Sequence, residues 1–350
     1  MSAAKPRSNK LRVIAFYLPQ FHPIPENDEW WGKGFTEWTN TAKAVPLFEG
    51  HYQPHVPADL GFYDLRLPET RAQQAALAAE YGIDAFCYYH YWFAGHRLLE
   101  RPFNEVLATG EPDFPFCLCW ANQSWTGVWH GAPDRILIKQ TYPGLDDYAR
   151  HFDWLEMAFA DRRYVTVDGK PLFLIYSPQD IPEVASLVRY WRERAWSAGL
   201  PGLQLVAVGH HSSHRNWVAN GFDASVTMRI PPPYPRLRLW RRPAILRHVK
   251  VVDNLIEQDG SGRTDYPCVG PNWDNTPRAG RRGLVLHDSR PELFRRNLRH
   301  ARERAQASEP QDRLVFIKAW NEWAEGNHLE PDLRFGRSWL EAVRDEMGAS

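Results

Sequence analysis

Val13-Ile14-Ala15-Phe16-Tyr17-Leu18-Pro19-Gln20-Phe21-His22 is the first strongly apolar run of this 350-residue chain, and the way it ends decides between two folds. Five apolar residues bounded by a turn read as a buried strand. A doubly wound nucleotide-binding sheet would follow that first strand with a glycine-rich turn whose backbone amides cradle phosphate. Here the turn carries Pro19, Gln20 and His22 instead, so no phosphate cradle is expected. Outward from this point the same rhythm recurs. Further short apolar runs at Ala85–Tyr89, Phe114–Cys119, Leu172–Tyr176, Gln204–Val208, Ala224–Met228, Tyr266–Gly270 and Leu314–Ala319 complete a set of eight with Val13–Tyr17. Amphipathic stretches with helical spacing follow them at Glu69–Tyr81, Leu98–Ala108, Leu145–Asp161, Ile181–Ala198, Ser213–Ala219, Ala244–Gln258, Pro291–Ala305 and Ser338–Met347. Strand and helix in alternation predict a parallel sheet, and eight repeats are the number that closes it. The expected fold is therefore α/β, a single (β/α)8 TIM-type barrel with elaborated βα loops. One domain over residues 11–350 follows a polar tail at residues 1–10, and no fixed-period repeat is present.

Composition narrows the function. Lys plus Arg and Asp plus Glu number 42 each, so the chain has no net field to attract nucleic acid, and none is expected as a partner. No apolar run reaches membrane-spanning length and Met1–Lys10 lacks signal-peptide form, which makes the cytoplasm the expected compartment. Protein partners are not legible. Four cysteines, Cys87, Cys117, Cys119 and Cys268, are too few for a disulfide framework and are expected as buried thiols. Cys117 and Cys119 lack the turn that a Cys-x-x-Cys metal site uses, and His90, His210 and His211 come without a His-Glu-x-x-His spacing, so neither metal nor cofactor is assigned. Aromatic residues make up 13% of the chain, with 16 Trp. Indoles beside polar groups at strand ends suit the apolar C–H face of a pyranose, and an oligosaccharide or polysaccharide is the expected substrate.

A barrel carries its active site at the C-terminal ends of its strands. The candidate sugar-binding residues collected there are Tyr17, Gln20, His22, Tyr89, His90, Trp92, Trp120, Asn122, Trp125, Tyr176, His211, Trp273, Asp274, Asn275, Arg278, Trp320 and Asn321. After the last strand the chain reads Trp320-Asn321-Glu322-Trp323-Ala324-Glu325-Gly326. In the first turn of a helix or in a tight loop, residues three apart project to one side, which lets Glu322 and Glu325 reach one sugar. Glycoside chemistry needs one carboxyl protonated and one ionised, and two close carboxyls push their proton affinities apart in that sense. The alternative roles for such a pair are a helix-capping Glu and a solvated Glu. Arg236, Arg238, Arg241, Arg242 and Arg247 read as a solvated face or as a contact for an acidic ligand.

Six motifs in order carry a family resemblance: Phe16-Tyr17-Leu18-Pro19-Gln20-Phe21-His22, Trp30-Trp31-Gly32-Lys33-Gly34-Phe35-Thr36-Glu37-Trp38, Tyr81-Gly82-Ile83-Asp84-Ala85-Phe86, Cys119-Trp120-Ala121-Asn122, Trp273-Asp274-Asn275-Thr276 and Asn321-Glu322-Trp323-Ala324-Glu325-Gly326. Together they resemble the WbsX-like proteins, related to glycoside hydrolase family 99, over roughly Leu11 to Leu340. The resemblance implies a (β/α)8 barrel and retaining cleavage of α-mannoside-like bonds through a 1,2-anhydro-sugar intermediate. In that scheme Glu322 takes the 2-hydroxyl proton, while Glu325 protonates the leaving oxygen and later activates water. The family also carries the label of glycosyltransferases of O-antigen or capsule synthesis, and a non-catalytic glycan-binding barrel is a third reading. One departure is visible: Gln123-Ser124-Trp125-Thr126-Gly127 stands where many members carry Glu-Asn-Trp-Thr-Arg.

Overall fold

The computed structural model describes residues 10–127, 132–210, 216–228, 242–257 and 265–348. Eight parallel strands close a barrel: β1 (Arg12–Tyr17), β2 (Ala85–Phe93), β3 (Phe116–Trp120), β4 (Lys170–Ile175), β5 (Gln204–His210), β6 (Ala224–Met228), β7 and β8 (Leu314–Ile317). Pro267, which lacks the amide that a ladder needs, divides β7 into Asp265–Tyr266 and Cys268–Val269. The first piece pairs with β6 (Val226 with Tyr266) and the second with β8 (Cys268 with Phe316). Closure is completed by β1 on β8, Ala15 opposite Ile317. All eight expected strands are present.

Helices α1 (Pro68–Glu80), α2 (Arg101–Thr109), α3 (Leu145–Phe159), α4 (Val184–Ser197), α5 (His248–Glu257), α6 (Pro291–Gln306) and α7 (Ser338–Met347) accompany the strands. Two expected helices differ. Ala244–Arg247 is a strand paired with Leu284–His287 outside the barrel, so the helix begins only at His248. Of the stretch expected at Ser213–Ala219, the described part is a short 3-10 turn, Trp217–Asn220. The tail residues 1–9 lie outside the described residues, as do His211 and Arg236, Arg238 and Arg241 of the arginine-rich segment.

Strand alternation sorts side chains into two layers, because successive Cβ atoms point to opposite faces. Phe16, Cys87, Tyr89 and Phe316 lie on the interior face, with Phe16 packed 5.6 Å from both Tyr89 and Phe316. Cys87, Cys117 and Cys119 are buried free thiols, as expected, whereas Cys268, a free thiol too, is only half-buried. Tyr88, His90, Trp120 and Phe173 face the helices; Trp120 and Phe173 each pack on Trp191 of α4, at 6.0 and 5.6 Å. Such fully buried rings each contribute roughly 2–3 kcal/mol. Among the described residues, no helix is long and apolar enough to cross a membrane.

Candidate active site

The chain after β8 makes a tight reversal that presents both acids. Asn321–Glu322 pairs antiparallel with Asn327–His328, and Trp323–Glu325 forms a single 3-10 turn between them. Asn321 fixes the base of this hairpin. Its Oδ1 accepts the Leu18 amide at 2.8 Å and its Nδ2 donates to the Leu18 carbonyl at 3.0 Å, extending the β1–β8 ladder by a side chain. Gly326 closes the turn with φ +64°, and a Cβ there would lie 2.9 Å from that of Asp274. Only glycine fits both demands. The Asp274 amide in turn donates to the Glu325 carbonyl at 2.7 Å.

Glu322 and Glu325 consequently line one open cavity of about 570 Å³ at the C-terminal mouth of the barrel, within the usual range for ligand sites. A single guanidinium holds them. Arg278 Nη1 donates to Glu325 at 2.6 Å, Nη2 to Glu322 at 3.2 Å and Nε to Glu37 at 2.8 Å. Lys318 approaches from the β8 end, its Nζ 3.3 Å from Glu325 and 3.8 Å from Glu322. Burial pushes the Glu322 carboxyl up to about 7, and the neighbouring Glu325 charge adds to that push against the two cations. Burial acts on Glu325 in the same direction, yet Lys318 and Arg278 stand closer to it and together hold it below the ordinary carboxylate range. The surroundings therefore raise the proton affinity of one carboxyl of the pair and lower that of the other. Glu322 is thus the carboxyl more disposed to hold a proton, whereas the family scheme gives the acid's part to Glu325.

Among the expected sugar contacts, Gln20, Tyr89, Trp125, Tyr176 and Arg278 line the same cavity. The hydroxyl of Tyr89, buried at its wall, has no hydrogen-bond partner among the described residues. Trp125 stands edge-on to Tyr91, 5.1 Å away. The other expected contacts lie elsewhere. Tyr17 belongs to a buried network under the site, donating to Gln74 at 2.7 Å, and Gln74 in turn donates to Glu330 at 2.6 Å. His22 is buried against the Pro19 carbonyl, where burial lowers its pKa to about 4. His90 and Trp92 face outward onto α3, His90 bonding His151 at 2.9 Å and Trp92 stacking on that same ring. Trp120 is fully buried, its indole N–H on the Trp92 carbonyl. Asn122 clamps two loops, accepting the Ser177 amide at 2.7 Å and donating to its carbonyl. Asp274 is consumed by His51, Gln53 and Thr276, and Asn275 accepts the Leu284 amide. Trp273 borders a separate, smaller cavity behind Lys318, while Trp320 and Asn321 are wholly buried. His211 is outside the described residues.

Strand alternation separates these groups. Tyr89 and Tyr91 point into the barrel while His90 and Trp92, one residue out of phase, cannot. That signal was available in the sequence and would have exchanged His90 and Trp92 for Tyr91. Glu37 and Lys318 line the cavity but were not among the expected contacts. Glu37 is buried and sits at the start of the short helix Glu37–Ala42, held by the Thr36 cap and by its own amide donating to the Gln20 carbonyl. A buried acid that follows a capping Thr is the one sequence cue. A third group was also missed: His55, His328 and Asp332, all buried, gather beside the hairpin that carries Glu322 and Glu325.

The chain matches the family described as Glycosyltransferase WbsX over residues 13–343. The protein named uncharacterized protein WxcX from Xanthomonas campestris pv. campestris strain B100 is 41% identical over 356 residues, covering 99% of this chain and 51% of that protein. Its counterpart in a second strain of that pathovar is 41% identical over 354 residues, covering 98% and 50%. The chain thus spans about half the length of the curated relatives it matches. Among solved structures, a glycoside hydrolase-like protein superposes with a TM-score of 0.61 at 14% identity, over 99% of this chain and 97% of that one. An endo-α-mannosidase of glycoside hydrolase family 99 from Bacteroides thetaiotaomicron gives 0.58 at 15% identity, over 96% of each chain. These likenesses establish the barrel fold.

Proposed function

Because the chain belongs to the WbsX family, we propose that it is a carbohydrate-active enzyme that cleaves α-mannoside-like glycosidic bonds with retention, with Glu322 and Glu325 as its paired catalytic carboxyls. One observation carries this reading: the two acids share the Arg278 guanidinium at the floor of an open cavity, and their proton affinities are driven apart. Acid–base chemistry on a glycosidic oxygen needs that division. Tyr89, Tyr176 and Trp125 supply flat apolar faces and hydroxyls for the sugar, and Gln20 an amide. One proton shared by the pair suffices for a route through the 2-hydroxyl. One carboxylate withdraws the 2-hydroxyl proton as that oxygen attacks the anomeric carbon, the other carboxyl protonates the departing oxygen, and water opens the 1,2-anhydro sugar. Arg278 and Lys318 touch both acids, so sugar hydroxyls that compete for those cations determine which carboxyl holds the proton when substrate is bound.

The family description favours a second reading, transfer from an activated sugar. A diphosphate would need free cations. Among the described residues lining the cavity, the cations are Arg278 and Lys318, both engaged by carboxylates. Incubation with α-linked mannose, rhamnose and fucose oligosaccharides, with and without sugar nucleotides, separates the two by mass spectrometry. Shorter oligosaccharides without a nucleotide support cleavage; extended ones that require a nucleotide overturn it. Leaving groups assign the roles. If Glu325 is the acid, Glu325→Gln keeps activity toward a glycoside with a strongly acidic leaving group, whereas Glu322→Gln loses it for every leaving group.

A further inference from the structure

Behind the catalytic hairpin, on the side away from the sugar cavity, three metal-type ligands meet that the proposed reaction does not use. His55 comes from the long loop after β1, and His328 and Asp332 come from the segment after Gly326. One ring nitrogen of each histidine and one oxygen of Asp332 lie within 4.8 Å of one another, and all three side chains are buried. His55 Nδ1 is 2.9 Å from His328 Nε2, which is 3.7 Å from Asp332 Oδ2. Two ligands on a tetrahedral zinc ion at about 2.0–2.1 Å stand roughly 3.3 Å apart, so these separations bracket what a metal requires.

The hydrogen bonding orients the group as a metal site would. His328 Nδ1 lies 2.9 Å from the Glu330 carbonyl, which can only accept. The ring proton is therefore on Nδ1, and Nε2 presents a lone pair to the cluster. Stacking on Trp323, 3.7 Å between centroids, holds that ring in place. Asp332 spends Oδ1 on the amides of Arg334 and Phe335, while its Oδ2, on a residue only 1% exposed, makes no well-formed hydrogen bond among the described residues, the Tyr52 hydroxyl being the polar group that stands near the carboxylate. The His328 Nε2 lone pair accepts a hydrogen bond from His55 Nδ1 at 2.9 Å, so a cation bound here would take the place of the shared proton, with the buried Asp332 Oδ2 beside it supplying the negative charge. His55 also borders a small surface cleft with Tyr52, Asp274 and Arg334, which provides an approach path.

We propose that His55, His328 and Asp332 bind one divalent ion of the zinc class, tying the loop after β1 to the hairpin that carries Glu322 and Glu325. Two imidazoles and one carboxylate form the donor set that zinc and cobalt(II) share. The ion lies outside the sugar cavity and takes no part in the bond cleavage proposed above, so the test needs no activity.

The full chain, free of any affinity tag and stripped with EDTA, is titrated with Co2+ and, separately, with Zn2+. We expect one equivalent to bind, the visible absorption of a four- or five-coordinate Co2+ site to appear, and Tm to rise by roughly 5 °C once free Zn2+ exceeds its Kd 100-fold. Asp332→Asn keeps the Oδ1 acceptor for the Arg334 and Phe335 amides, and His328→Gln keeps a polar side chain; each variant should weaken binding at least 10-fold. Either variant suffices if its metal-free circular dichroism matches that of the parent. Octahedral Co2+ absorption only, a parent Tm unmoved by Zn2+, or equal binding by a folded variant overturns the site and leaves a hydrogen-bonded histidine pair.

Discussion

Replacing Glu322 by Gln should abolish turnover and, at pH 8, make the protein more stable. The folded protein raises this carboxyl from 4.5 to about 7 because burial and the Glu325 charge oppose its ionisation more than Arg278 and Lys318 favour it. At about 1.4 kcal/mol for each tenfold change in proton affinity, ionising it in the fold costs roughly 3 kcal/mol more than in the unfolded chain. For a raised pKa the sign is definite. The benefit of the neutral form is fully present below pH 4.5 and is lost as pH rises toward and through 7. Gln reproduces the protonated form at every pH. The variant should therefore match the parent near pH 4 and exceed it by on the order of 2–3 kcal/mol at pH 8. Urea unfolding at both pH values, followed by tryptophan fluorescence, measures the difference. A variant that is no more stable than its parent at pH 8, or whose advantage is equal at both pH values, refutes the argument.

Glu325→Gln should behave oppositely: its ionised form is held by Lys318 and Arg278, so the substitution destabilises at pH 7 and that loss fades as pH falls through the lowered pKa of the parent residue, readable in the same titration. Arg278→Gln leaves three buried carboxylates without their shared cation and should cost about 3–5 kcal/mol of stability together with activity, as measured by thermal unfolding and turnover. Gly326→Ala forces a side chain into a left-handed turn and against Asp274; we expect a loss of about 2–4 kcal/mol and a fall in kcat from displaced Glu325, checked by unfolding and kinetics. A substrate with hydrogen in place of its 2-hydroxyl should bind and not react, and its normal turnover in a product assay would instead indicate direct attack by a carboxylate.

Much of the scaffold was legible because the information is local. Periodicity of 2 in the strands and 3.6 in the helices marked all eight barrel strands, and the turn after Tyr17 separated this barrel from a nucleotide-binding sheet. Ala244–Arg247 misled because a short apolar run preceding a helix looks like its first turn; its strand form depends on Leu284–His287, nearly forty residues later, which no local pattern reveals. The paired acids after β8 were readable for the same local reason, three residues apart in a turn closed by glycine.

What surrounds those acids is a matter of tertiary structure alone. Strand phase, rather than residue type, sends Tyr89 into the cavity and His90 onto α3, so a census of aromatic residues at strand ends collects both. Arg278 finds Glu37 across 241 positions of chain, and Glu322 and Glu325 across 44 and 47. Coulomb interaction depends on distance and burial rather than on separation along the chain. Local pattern alone specifies a barrel with two carboxyls just beyond its last strand; which of them holds its proton more tightly depends on folding, which sets a guanidinium and an ammonium closer to one than to the other.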